Sequence, residues 1–384
     1  MKFEFMTSHR IIFERGAVRK IGTLAKGLGT KALIASGLLK EDTERLVGYL
    51  QTEGIGSVAV YVQGEPSVEG IKEGVALARE EGCDLVIGFG GGSAMDTAKA
   101  VSVMLTNQGE LLDYLEVIGK GRALENPSAP CIAVPTTSGT GAEVTKNAVL
   151  SSKKHKLKVS LRSPYMLPDL VLLDPETTVS VPPPVTASTG LDALTQVLEP
   201  YVSNAANPLT DALCREGLAR AARSLKKAFD TGDDIDARED MCVTSLFGGL
   251  ALANAKLGAV HGFAGVIGGM YPIPHGVCCA TLLPHTIEAN VKALFQRDPQ
   301  SEALRRFDEI ARILTGRPDA TARDGVAWIQ ELCAHLKVPG LSAFGMTEAA
   351  FQAVVEKSKV ASSMKGNPIV LTDAELETIL TKSM

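Results

Sequence analysis

DLVIGFGGGSAMDTAKA, residues 84–100, decides how this chain is read. An apolar run ends in three consecutive glycines, Gly90, Gly91 and Gly92, and a helical pattern follows. Without Cβ atoms the backbone can turn tightly there, and its N–H groups can approach an anion closely. Ser93 is the expected N-cap, with Asp96 three residues on in an S-x-x-D capping pattern. The helix that starts there presents free N–H donors and a partial positive charge, which suits a pyrophosphate. The spacing is not G-x-G-x-x-G, and a plain glycine-rich turn would read the same in isolation. A second polar turn, PTTSGTGAEVT (135–145), also follows a strand and adds Thr136, Thr137 and Thr140. Two such loops at the ends of successive strands mark the crevice where open α/β sheets bind ligands. Together they point to a nucleotide site.

Around these loops the first half alternates short apolar runs with amphipathic segments. KALIAS (31–36), SVAVYV (57–62), CIAVPT (131–136) and LVLLDP (170–175) join DLVIGFG (84–90) as predicted strands. Glu41–Glu53 and Val68–Glu81 are predicted helices between them. Strands that read as unbroken apolar runs belong to a parallel sheet covered on both faces. The pattern therefore predicts a doubly wound α/β domain. Lys2–Phe5 and His9–Glu14 are expected to pair as a hairpin at its edge. After VPPP (181–184) the pattern changes, and from Thr186 onward it is helical with short Gly/Pro breaks. The prolines read as a connector, because they cannot continue a helix or donate to a sheet ladder. We place an α/β dinucleotide-binding domain at 1–180 and an all-helical metal and substrate domain at 181–384.

A chain of 384 residues is too long for one ordinary core, which agrees with two domains. With 45% hydrophobic and 22% charged residues and a net charge of -5, it has no basic excess for nucleic acid. Charges interrupt every apolar run in MKFEFMTSHRIIFERG, so no signal peptide is expected. No window reaches the ~18 uninterrupted apolar residues of a membrane helix. The seven cysteines show no CxxC spacing, and a reduced cytoplasm is the expected compartment. Adjacent Cys278 and Cys279 are read as buried thiols rather than metal ligands.

In the helical half, TGLDALTQVLEPYVS (189–203) sets Asp192 and Gln196 four apart, on one helix face. HGFAGVIGGMYPIPHG (261–276) carries His261 and His275, each followed by glycine. A carboxylate, an amide and two imidazoles could hold a divalent ion with one position open. Taken singly, each reads more readily as a satisfied buried polar residue; taken together, the metal reading stands level with it.

GGGSAMDTAK, PTTSGTGAEVT, TGLDALTQVLEPY, PHGVCCATLLPH and SMKGNPIVLT (363–372) resemble, in that order, the landmarks of the iron-containing (group III) alcohol dehydrogenases. The resemblance spans nearly the whole chain. It implies a Rossmann-like N-terminal domain and an all-α C-terminal domain of the dehydroquinate synthase-like architecture, with the active site in the cleft between them. It implies a homodimer, and hydride transfer between NAD or NADP and a small primary alcohol or aldehyde. Gly90 to Ser93 and Asp96 would lie at the pyrophosphate, Thr136, Thr137 and Thr140 on the opposite side of the nucleotide, and Lys158 would reach the cofactor. Asp192, His261 and His275 match three ligands of an iron or zinc ion.

Three departures qualify the match. Gln196 stands where the family usually has a fourth ligand, a histidine, and a neutral amide oxygen binds such ions more weakly. Gly265 replaces a further active-site histidine, which removes a proton carrier and opens space. Gly37, after the first strand, stands where NAD-preferring relatives carry Asp, so a 2′-phosphate meets no repulsion and NADP should be tolerated. A metal-free reductase resembling maleylacetate reductases, and a non-catalytic nucleotide-binding protein, are the alternative readings. The apolar 247–270 stretch, with Phe263, and the region of Val149 are the expected lining of the substrate pocket.

Overall fold

Six parallel strands form the sheet of the α/β unit: β1 (Arg10–Phe13), β2 (Lys31–Ser36), β3 (Gly56–Tyr61), β4 (Leu85–Gly90), β5 (Cys131–Pro135) and β8 (Leu170–Leu173). Their order in the computed structural model, which describes residues 2–152, 154–155 and 157–384, is β1-β8-β5-β4-β2-β3. Alternate residues of the strands face opposite layers. Ile34, Ile87 and Ile132 are in register and pack under the helix Lys40–Gln51, with Leu46 and Leu50. Leu33, Ala35 and Val86 face the other way, toward Ile71 and Val75 of helix Val68–Glu80 and Val101 of helix Gly92–Thr106. Both faces are thus dry, which is why these runs show no polar alternation.

The edge differs from expectation. Arg10–Phe13 is a strand, but its partner is β8, in parallel register, and Lys2–Phe5 forms none. The carbonyl of Met6 instead accepts from the Asn254 amide at 2.8 Å, which ties that segment to the helical unit. A second sheet lay unread in the sequence: β6 (Asn147–Ser152) and β7 (Leu157–Arg162) pair antiparallel.

The chain divides into two compact units. One holds Thr7–Thr137 and Gly141–Ser180; the other holds Val181–Met384 together with Ser138–Thr140 and the segment ending at Met6. The second is built of helices, and no strand occurs in 181–384. Its core gathers Leu191, Leu194, Leu198, Tyr201, Phe263, Leu282 and Leu283. No single helix among the described residues is long and apolar enough to cross a membrane.

The proline cluster is not a loop. Pro183 and Pro184 are the first turn of the helix Pro183–Val202. Proline suits that position, because its missing N–H is unpaired there anyway and its φ is already helical. Phe263, an expected pocket-lining residue, is fully buried in the helical core.

Candidate nucleotide loop and metal centre

In the α/β unit the chain steps from β2 outward to β3, then returns to β2's other side for β4 and β5. The reversal falls between β2 and β4, and ligands of open α/β sheets bind outside the carboxyl ends of such strands. Gly37 directly follows one of these strands and Gly90 ends the other. They abut closely: a Cβ at Gly90 would stand 2.9 Å from the Gly37 nitrogen. Gly90 also has φ +150°, a conformation that side chains rarely adopt. Thr136 donates its N–H to the Gly90 carbonyl at 2.9 Å. A Cβ at Gly91 would meet the Thr137 hydroxyl at 3.1 Å. Gly37, Gly90, Gly91, Thr136 and Thr137 therefore lie together at one end of the sheet.

Other expected residues are placed differently. The helix begins at Gly92 with Gly91 as its N-cap, so Ser93 is inside the first turn and is not the cap. The Asp96 carboxylate is already occupied: one oxygen accepts from the Val149 N–H at 2.9 Å and the other pairs with Lys99 at 2.9 Å. Lys99 is buried and also donates to the Ala142 carbonyl at 2.8 Å, which ties the helix to the second loop. Lys158 pairs with Glu65 at 3.0 Å. Thr140 is counted with the helical unit rather than with Thr136 and Thr137.

The helical unit carries the second site. Asp192 and Glu199 project from the helix Pro183–Val202, His261 from the helix Ala259–Met270, and His275 and Cys279 from the helix His275–Arg297. One donor atom from each of Asp192, His261, His275 and Cys279 lies within 4.8 Å of every other. The Asp192 Oδ1 is 3.2 Å from His261 Nε2 and 4.0 Å from His275 Nε2. The Cys279 sulfur is 3.8 Å from His261 Nε2 and 3.7 Å from His275 Nε2. Asp192 and Cys279 are buried, while the His275 side chain is 33% exposed and leaves the group accessible on that side.

His261 is fixed from behind. Its Nδ1 is 2.7 Å from Glu199 Oε2, while Glu199 Oε1 accepts from the Val260 N–H at 2.7 Å. A proton on Nδ1 leaves the Nε2 lone pair facing Asp192 and Cys279, the usual arrangement behind a ligating histidine. Asn367, from the SMKGNPIVLT stretch, accepts from the Ala259 N–H at 3.1 Å and so holds the start of the same helix. Glycine is needed at 258, where a Cβ would stand 2.8 Å from the Glu199 carboxylate.

The electrostatics call for positive charge. Burial pushes the His261 imidazole down, but Cys279, Asp192 and Glu199 together hold it well above the ordinary value. Cys279 likewise raises His275, against the effect of burial. Burial pushes Asp192 up, yet its hydrogen bond to His261 and the charges of the imidazoles hold it below the usual carboxylate range. Such a set takes up protons or, in their place, a divalent cation.

Three features escaped the sequence reading. Cys279 was assigned to the core, yet His275 and Cys279 are four apart on one helix, the same spacing that flagged Asp192 and Gln196. Glu199, one helical turn beyond Gln196, left no signal without knowledge of its partner. Gln196 is buried, and its amide N–H donates to the Gly139 carbonyl at 2.9 Å.

Comparison with known proteins identifies the family. Residues 8–175 match the iron-containing alcohol dehydrogenase model, and 186–384 match the C-terminal model of the Fe-containing alcohol dehydrogenase family. Alcohol dehydrogenase 4 of Schizosaccharomyces pombe is 36% identical over 379 residues, covering 97% of this chain and 87% of that protein. The NAD-dependent methanol dehydrogenase of Bacillus methanolicus is 31% identical over 385 residues, covering 97% of each. The crystal structure of a 1,3-propanediol oxidoreductase superposes with a TM-score of 0.92 at 31% identity, covering 100% of both chains. The motifs, the fold and these matches agree, and the chain belongs to the iron-containing alcohol dehydrogenase family.

Proposed function

We propose that this chain interconverts a small primary alcohol and its aldehyde, using NAD(H) or NADP(H) and a divalent ion held by Asp192, His261 and His275. The observation that carries the reading is the convergence of these three side chains from three helices on one buried spot. When bound, the ion draws electron density from the substrate oxygen and the nicotinamide gives or takes the hydride. The chain's own part is placement. Glu199 holds His261 so that Nε2 faces Asp192, and the side-chain-free loop at Gly90 to Gly92 offers backbone N–H groups to the dinucleotide phosphates. Ser93, Thr136, Thr137 and Thr140 are the candidate hydroxyl contacts to the nucleotide, with Asp96 and Lys158 supporting the loop or the cofactor. Gly265 has open space where a Cβ would stand and offers no proton carrier, so the proton would pass through water or the ribose hydroxyl.

The curated relatives are alcohol dehydrogenases, oxidoreductases acting on CH–OH groups, and this favours neither the metal-free reductase nor the non-catalytic reading. A homodimer in the cytoplasm completes the proposal, and seven cysteines that form no disulfide suit a reducing compartment. Oxidation of NADH and NADPH should be followed with a panel of short aldehydes. Turnover of at least one is expected; tight dinucleotide binding with no turnover of any alcohol or aldehyde contradicts the proposal.

Two variants probe the parts separately. Glu199→Gln keeps the shape but removes the anionic acceptor behind His261, and metal affinity should fall about 10–100-fold in a chelator competition. An unchanged affinity would show that Glu199 only packs. At Gly37 an added Cβ meets nothing closer than 3.6 Å, so Gly37→Asp should be accommodated. A carboxylate about 4 Å from a 2′-phosphate costs at least ~1 kcal/mol. The ratio of kcat/KM for NADPH over NADH should therefore drop roughly fivefold or more. A constant ratio would mean that Gly37 does not face the ribose.

A further inference from the structure

We infer that Cys279, rather than Gln196, supplies the fourth protein ligand of the metal, giving an Asp–His–His–Cys centre suited to zinc more than to iron. The inference rests on the proposal that Asp192, His261 and His275 hold a divalent ion, and it adds the identity of the remaining donor. Its first support is position. In a tetrahedral zinc site, bonds of about 2.0–2.2 Å to N and O and about 2.3 Å to S place N and O donors about 3.4 Å apart, and N and S donors about 3.6 Å apart. The Cys279 sulfur stands 3.8 and 3.7 Å from the two Nε2 atoms, and the Asp192 oxygen 3.2 and 4.0 Å from them. The two sulfur distances match that donor spacing to about 0.2 Å and the two oxygen distances to about 0.6 Å, so Cys279 stands where a protein donor would bind, and the substrate oxygen would join as a fifth ligand from the side left accessible at His275.

The second support is chemistry. Gln196 brings a neutral amide whose orientation is fixed by its bond to the Gly139 carbonyl, and an amide oxygen is a weak ligand for zinc or iron. A thiol that gives up its proton to solvent on binding becomes an anionic, soft donor. Thiolate ligands favour zinc, and for a given donor set zinc already binds above iron(II). The third support is local geometry. Cys279 follows His275 by one helical turn, so both donors are set by a single rigid element and need no loop to close. Other buried thiols, such as Cys214 and Cys333, stand outside the donor group.

The test is cobalt(II) substitution of the metal-free protein, read by absorption rather than activity. The wild type is expected to take one Co²⁺ per chain with an intense near-ultraviolet thiolate-to-cobalt band, lost in Cys279→Ser. Zinc affinity of Cys279→Ser should be more than about 100-fold weaker, beyond what a supporting hydrogen-bond partner costs. Gln196→Leu should retain the band and bind zinc within a few-fold of wild type. Cobalt bound by the wild type without that band, or a band that persists in Cys279→Ser, overturns the assignment of Cys279 and leaves the three-residue site standing. No cobalt bound by folded wild type overturns both. The wild-type spectrum decides the matter even if a variant fails to fold.

Discussion

Replacing Asp192 by alanine is expected to leave the protein almost free of divalent metal and to lower kcat/KM about 10³-fold, roughly 4 kcal/mol of transition-state stabilisation. Asp192 is the only carboxylate in the four-donor group, it is buried, and its Oδ1 faces both imidazoles. Without it the group loses its one carboxylate donor and with it much of the negative charge that draws a cation into a buried position; Glu199 remains, but behind His261 rather than among the donors. Dinucleotide affinity should change little, because the glycine loop belongs to the α/β unit and Asp192 to the helical one. Metal analysis, NADH binding by fluorescence and turnover on one preparation separate these effects. Full activity of a metal-free Asp192→Ala protein would refute the role given to this residue.

Glu143→Gln is expected to stabilise the protein at pH 8 by on the order of 3 kcal/mol while leaving its stability near pH 4.5 almost unchanged. Glu143, in the second polar loop, is buried, and its Oε1 has no hydrogen-bond partner among the described residues. Burial raises its carboxyl from 4.5 to about 7, against smaller opposing effects of its own backbone N–H and of Lys99. The folded state therefore holds the proton more tightly than the unfolded chain does. Between those two values the native state binds more protons, so its stability falls as the pH rises. Above about 7 the loss is complete, and each tenfold difference in proton affinity between the two states corresponds to about 1.4 kcal/mol. Glutamine carries no charge to bury and removes this dependence. Urea unfolding of both proteins at pH 5 and pH 8 measures it: the difference should grow with pH, and an equal difference at both would contradict the assignment.

The parts of the fold legible in the sequence are those whose residues answer to their own neighbours. β2, β4 and β5 are continuous apolar runs because both their faces are covered, and their ends were read to within a residue. Both intervening helices were placed by their amphipathic spacing. The edge was misread because Lys2–Phe5 and Arg10–Phe13 look alike locally, while the partner of the latter is β8, remote in sequence. β7 alternates apolar and polar residues along LKVSLR, a period-2 signal that goes unread because its partner β6, NAVLSS, alternates only weakly in residue type. Ser93 has the composition of a cap, yet the chain turns two residues earlier, where glycine at 91 lets it pass Thr137.

For the site, Asp192, His261 and His275 were legible because rare ligand types stood at suggestive positions. Cys279 was not, because a thiol in an apolar stretch is usually core, and its burial agrees with both readings. Only the meeting of three helices distinguishes them. Glu199 shows the same limit, for nothing along the helix says that a carboxylate at 199 will reach an imidazole at 261.

The most direct test is removal and return of the metal. Purified protein would be stripped with a chelator, assayed for aldehyde-dependent oxidation of NADH and NADPH, and then reloaded with zinc or iron(II) at one ion per chain. Turnover should vanish in the stripped protein and return with the ion, while dinucleotide binding persists throughout. Full turnover by protein shown to contain no metal would contradict the account.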